Sequence, residues 1–179
     1  TDWTKENLKE IPYIEDLKFA GSLNSEINIS GNFHSFKFKS KLELTKTGYE
    51  IKKVFFKKEN TSNEVEMEGT YTKKAGILVD RFKFTLGNNS VRGEATIKSF
   101  SDPEYFIKLD GVGLEVNEIK TSVDLFKNNT DGKIDFNISG QGNLNQQEGS
   151  LFKGSAILKN LVFKWEDRRN PLTLSADVR

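Results

Sequence analysis

The sequence of 179 residues predicts an all-β fold. The expected form is a long, curled, mostly antiparallel sheet, a β-groove or an open barrel or sandwich, with one or two short helices. Three observations predict it. Apolar and polar residues alternate with period two in short runs, the signature of strands with one dry and one wet face. Gly, Asn and Asp clusters break these runs about every eight to twelve residues. Only 3 prolines interrupt the chain, while 14 phenylalanines supply strand-forming bulk.

The clearest unit is Ile77 to Ile97. Phe82, Phe84 and Leu86 alternate with Arg81, Lys83 and Thr85, and the run stops at Gly87-Asn88-Asn89. It restarts with Val91, Gly93, Ala95 and Ile97 against Arg92, Glu94, Thr96 and Lys98, which reads as an antiparallel hairpin. From the N-terminus, Asp2 to Leu17 has helical spacing and a stop at Pro12. A strand through Ile27 and Ile29 follows, closed by Gly31. The next carries Phe36, Phe38, Leu42 and Leu44 and turns at Thr47-Gly48. Val54-Phe55-Phe56 breaks the alternation and predicts a bulge or a strand covered on both faces. Val65 and Met67 alternate with Glu64, Glu66 and Glu68.

Beyond the hairpin, Tyr105, Ile107 and Leu109 form a strand ended by Gly111. Val116 to Phe126 reads as weakly helical, and Asn128 to Gly132 as a turn. Ile134, Phe136 and Ile138 mark another strand, Gly140 to Gly149 a polar connection, and Leu161, Phe163 and Trp165 a strand before the last one at Leu172 to Val178. The total is ten or eleven strands in mostly up-and-down order. The stretch Gly21 to Gly31 echoes Gly132 to Gly140, each after a helix-like segment. We read one all-β domain over residues 1–179, a segment of a longer repeat protein with approximate units 1–111 and 112–179.

Composition narrows the function. Lys and Arg total 27 against 26 Asp and Glu, a net charge of +1, so no bulk attraction to nucleic acid is expected. There is no cysteine, which excludes disulfides, thiolate metal sites and cysteine nucleophiles. His34 is the single histidine and lies in a polar turn, where a solvated role outweighs a catalytic one. Asp131 and Asp135 lack the spacing of a calcium loop. The three glutamates beside Lys37 and Lys39 read as cross-strand charge pairing. No enzyme activity, cofactor or metal is expected. The apolar face then has two readings: the packed core of a closed sandwich or barrel, or the open wall of a trough for acyl chains.

The wording of the sequence bears on that choice. Gly-x-Leu-x-x-x-Ile-x-Ile-x-Gly over Gly21 to Gly31 is followed by Phe-Lys-Phe-x-x-x-Leu-x-Leu. Val79 to Ile97 precedes a Pro-Glu-Tyr strand at Pro103 to Tyr105. A second pass brings Asp131 to Gly140 and Gly154 to Phe163, and Arg168 to Leu174 turns into a strand. This phrasing, over roughly Leu8 to Val178, resembles the AsmA-like family of Gram-negative envelope proteins. The resemblance implies a repeating β-groove in the periplasm, with the full-length protein anchored in the inner membrane. Phospholipid or another lipid would slide along the apolar concave face between the inner and outer membranes. Its implied partners besides lipid are neighbouring strands of the full-length chain and envelope proteins, not nucleic acid.

The lipid-facing set is then Phe36, Phe38, Leu42, Leu44, Val65, Met67, Phe82, Phe84, Leu86, Ile134, Phe136, Ile138, Leu161, Phe163 and Trp165. A closed sandwich that binds carbohydrate, with Trp165 beside Glu166 to Arg169, is the alternative. A scaffold for outer-membrane assembly is a third.

Overall fold

A computed structural model describes residues 17–51, 55–99, 101–123, 126, 129–164 and 172–178. It is all-β, and the described residues form two antiparallel sheets and one short α-helix. The strands are β1 (Leu17–Gly21), β2 (Asn24–Asn32), β3 (Ser35–Glu43), β4 (Thr47–Ile51), β5 (Phe55–Lys57), β6 (Asn63–Thr72), β7 (Gly76–Leu86) and β8 (Asn89–Lys98). After β9 (Glu104–Glu115) come the helical turn α1 (Val116–Ile119), then β10 (Asn129–Asn143), β11 (Gln146–Phe163) and β12 (Leu172–Val178).

The large sheet has nine strands in the order β12-β11-β10-β9-β8-β7-β6-β3-β2. It is curled but does not close into a barrel. The small sheet is β1-β4-β5. Among the described strands, the excursion through β4 and β5 is the one departure from up-and-down order between β2 and β12, because β6 returns to pair with β3.

Cross-strand register lines up the apolar residues in rows. One row runs Leu42, Val65, Phe84, Val91, Gly111, Phe136 and Ala156. The next is Ser40, Met67, Phe82, Gly93, Leu109, Ile138 and Gly154. The third is Phe38, Gly69, Val79, Ala95, Ile107, Gly140 and Phe152, and the fourth is Phe36, Tyr71, Ile77, Ile97, Tyr105 and Gly142. Residues one position away fall on the other face, which is charged over most of its length and carries exposed Leu78, Phe106 and Leu151 toward the β6–β7 and β10–β11 turns. There Lys39 pairs with Glu68 at 3.2 Å, Lys41 with Glu64 at 2.7 Å and Lys83 with Glu66 at 3.4 Å. Exposed pairs of this kind contribute at most about 1 kcal/mol each, and their use is to keep that face wet.

The rows explain the glycines. A Cβ on Gly111 would stand 2.6 Å from the Phe136 ring, one on Gly140 2.5 Å from the Phe152 ring, and one on Gly69 2.8 Å from the Phe38 ring. Each aromatic side chain therefore occupies the space left by a glycine on the next strand, a device that pins register. We expect Gly111→Val to displace Phe136 and lower stability by about 1–3 kcal/mol, read as a fall in the thermal midpoint.

Several boundaries differ from the sequence expectation. Gly111 does not end a strand: β9 continues to Glu115, because Gly111 sits under Phe136 instead of breaking the ladder. The polar stretch Gly140 to Gly149 is not a connection either. It forms the ends of β10 and β11, 15 and 18 residues long, around a turn at Leu144-Asn145. β10 likewise starts at Asn129, within the expected turn. The turn after β3 falls at Thr45-Lys46, and Thr47-Gly48 opens β4. Among the described residues of the stretch Val116 to Phe126, four, Val116–Ile119, are α-helical. The helix expected before Leu17, Val54 of the expected bulge, Trp165 and the loop Glu166 to Pro171 lie outside the described residues.

Candidate functional site: an apolar face capped at one end

The two ends of the large sheet are unlike. At one end the buried residues Leu114, Val116, Ile134 and Leu161 form a cluster, with Val91, Phe126, Phe136, Leu158 and Phe163 against it. Val116, the first residue of α1, is fully buried. Glycine permits the close approach here: Gly132, at φ 122°, has the backbone and side chain of Leu161 within 2.7 Å of any Cβ it could carry.

The small sheet covers the same end. Phe55 meets Phe84 edge-on at 6.3 Å between ring centroids, and Tyr49 stacks on Phe55 at 5.9 Å. Burial raises the Tyr49 hydroxyl pKa to about 12. The neutral phenol is thus favoured by folding, and its contribution to stability is full below pH about 10 and fades as pH rises toward 12. A spectrophotometric titration should show Tyr49 ionising about two pH units late, as a step that Tyr49→Phe removes.

Buried polar groups lock the cap in place. Lys57 is only 3% exposed. Its Nζ donates to the carbonyl oxygens of Leu44 at 2.6 Å, Thr45 at 2.9 Å and Thr47 at 2.6 Å. Burial pulls its pKa below the ordinary lysine value, opposed by the charges of Glu43 and Glu59. Asn63 accepts from the Tyr49 hydroxyl at 2.9 Å and donates to the Thr85 carbonyl at 2.7 Å, joining the small sheet to β6 and β7. Asn89 bonds both backbone groups of Glu115, donating to O at 3.1 Å and accepting from N at 2.6 Å. No periodicity announces these three residues in the sequence. The only available hint is their position at the ends of alternating runs.

The opposite end is open. It is formed by the β2–β3 turn with Phe33 and His34, the β6–β7 turn with Lys73 and Lys74, the β8–β9 connection, and the β10–β11 turn. The Lys73 amide donates to the His34 carbonyl at 2.9 Å, so the first two turns are neighbours. Between the two ends, no second full sheet lies over the apolar rows among the described residues. Eight of the expected lipid-facing residues lie half-buried in or beside those rows: Phe36, Phe38, Leu42, Val65, Met67, Phe82, Phe84 and Phe136. Ile138 is 39% exposed, and Phe152 in the third row, missed by the sequence reading, is 65% exposed.

Four of the expected residues, Leu44, Leu86, Ile134 and Leu161, are buried at the capped end. Phe163 is half-buried and packs against the cluster there. Phe84 and Phe136 also touch the cap or the cluster. The exposed wall is therefore the second to fourth rows. On standard spacings the eight strands from β2 to β11 that cross these rows make it roughly 34 Å wide, and the three rows make it roughly 14 Å tall. That footprint, about 480 Å², matches the largest apolar patch of an ordinary monomer, about 300–600 Å², a size that is often functional.

Among the described residues, no group of three or more acidic or histidine side chains is placed to hold a metal ion. No helix there is long and apolar enough to cross a membrane. Comparison with family models, with curated proteins and with solved structures found no match.

Proposed function

We propose that the open apolar face binds the acyl chains of phospholipid, and that this chain is one segment of a periplasmic, AsmA-like wall along which lipid moves between membranes. One observation carries the reading: four apolar rows continue across the large sheet, and the cap covers them at one end only. Exposing acyl chain to water costs about 0.8 kcal/mol per methylene, so a chain of about sixteen carbons faces on the order of 10 kcal/mol. An apolar wall offsets most of that while the head group stays in water. Exposed Lys73, Lys74 and Lys98 at the open end supply cations for phosphate. Transfer of this kind uses no catalytic group, cofactor or nucleotide.

Site-specific photo-crosslinking tests it. Neighbouring strand residues point to opposite faces. A photoreactive side chain at Ala95 or Ile138 should therefore label phospholipid, and one at Glu94 or Asn137 should not. Equal labelling from both faces would refute a one-faced site.

A further inference from the structure

We infer that β2 is a self-pairing edge, through which two copies of this chain join β2 to β2, antiparallel, about a two-fold axis normal to the sheet. The inference does not rest on the lipid reading. β2 is exposed at all nine positions and pairs with β3 along one side, and among the described residues nothing pairs with its other side. Natural edge strands are commonly blunted by lysine, proline, a bulge or shortness. β2 has none of these: its sequence is Asn-Ser-Glu-Ile-Asn-Ile-Ser-Gly-Asn, with Glu26 its single charge, and its pairing with β3 runs without a register shift. The other edge, β12, pairs through a register shift between Leu158 and Leu161.

Topology selects the partner. All neighbours in the large sheet are antiparallel, and nine strands is an odd number, so β2 and β12 run in the same direction. Joining β12 of one copy to β2 of the next, with the apolar faces on one side, would require a parallel joint. A two-fold axis through β2 keeps the apolar faces together and makes the joint antiparallel like the rest.

Centred on Asn28, this register sets Ile27 opposite Ile29 of the other copy twice, Glu26 opposite Ser30, and Asn24 opposite Asn32. Ile27 and Ile29 are 60% and 64% exposed in the single chain, so the joint covers its most open isoleucines and faces no like charges.

The chain has no cysteine, so a single introduced thiol reports the register cleanly. Directly opposed residues have Cα atoms about 4.5–5.5 Å apart, within disulfide reach. Asn28→Cys should therefore cross-link into a covalent dimer under mild oxidation. Asn24→Cys, whose two copies lie roughly 27 Å apart in this register, should not. Sedimentation equilibrium of the 179-residue chain should show a monomer–dimer equilibrium, and Ile27→Lys/Ile29→Lys should be monomeric with an unchanged far-UV spectrum. A monomer at every concentration from micromolar to near-millimolar overturns the inference. So does a dimer that survives the double lysine variant, which would mean packing of apolar face on apolar face. Equal cross-linking from position 24 overturns it as well.

Discussion

Phe38→Asp/Ile138→Asp is expected to abolish lipid capture while the chain stays folded. Ile138 lies in the second row and Phe38 in the third, and neither belongs to the buried cluster. An acyl chain laid along those rows would have to desolvate two carboxylates, at a cost of several kcal/mol each. Bound lipid should therefore fall at least tenfold. The folded state loses half-buried apolar contacts, among them the Phe38 ring over Gly69, so each change should cost about 1–3 kcal/mol, visible as a drop in the thermal midpoint. Phe84→Asp and Phe136→Asp would be poorer probes. Those side chains also touch Phe55 and the buried cluster, so a loss of lipid there could follow from a loosened cap. Undiminished lipid in the double variant, with its circular dichroism intact, would show that the rows are not the binding surface.

Lys57→Met should destabilise the protein by about 2–4 kcal/mol. The thioether has nearly the shape of the lysine stem but donates nothing, and it strands three carbonyl oxygens that lie at 2.6–2.9 Å from Nζ. Those carbonyls belong to the connection between β3 and β4 and to the first residue of β4, so the loss falls on the seam that ties the small sheet to the large one. Two readouts should move together: the urea midpoint falls, and the late tyrosine ionisation shifts back toward pH 10 as water reaches Tyr49. A variant within about 0.5 kcal/mol of the parent, with Tyr49 still titrating late, would show that the cap does not depend on this clamp.

The sheet was legible because period two survives wherever one face is dry. The hairpin from Ile77 to Ile97 pairs end to end, Ile77 opposite Ile97 and Leu86 opposite Asn89, although a bulge beside Asp80 and Arg81 resets its register. The glutamates at 64, 66 and 68 meet lysines across the strands, as their alternation predicts. Glycine was harder to read. Gly111, Gly140 and Gly142 look like strand stops, yet they continue the ladder because Phe136, Phe152 or Tyr105 fills the space beside them. That pairing of ring and glycine joins different strands and leaves no local signal. The cap was illegible for a related reason. Lys57, Asn63 and Asn89 are polar residues buried by partners 10 or more positions away. A one-dimensional pattern reads such residues as solvated.

The most direct measurement is native mass spectrometry of the purified 179-residue chain under conditions that keep lipid bound. An apolar wall open along three rows predicts adducts with the mass of phospholipid, removed by gentle activation and absent from Phe38→Asp/Ile138→Asp. Bare protein alone, after expression and purification with phospholipid in excess, would contradict a lipid-binding face.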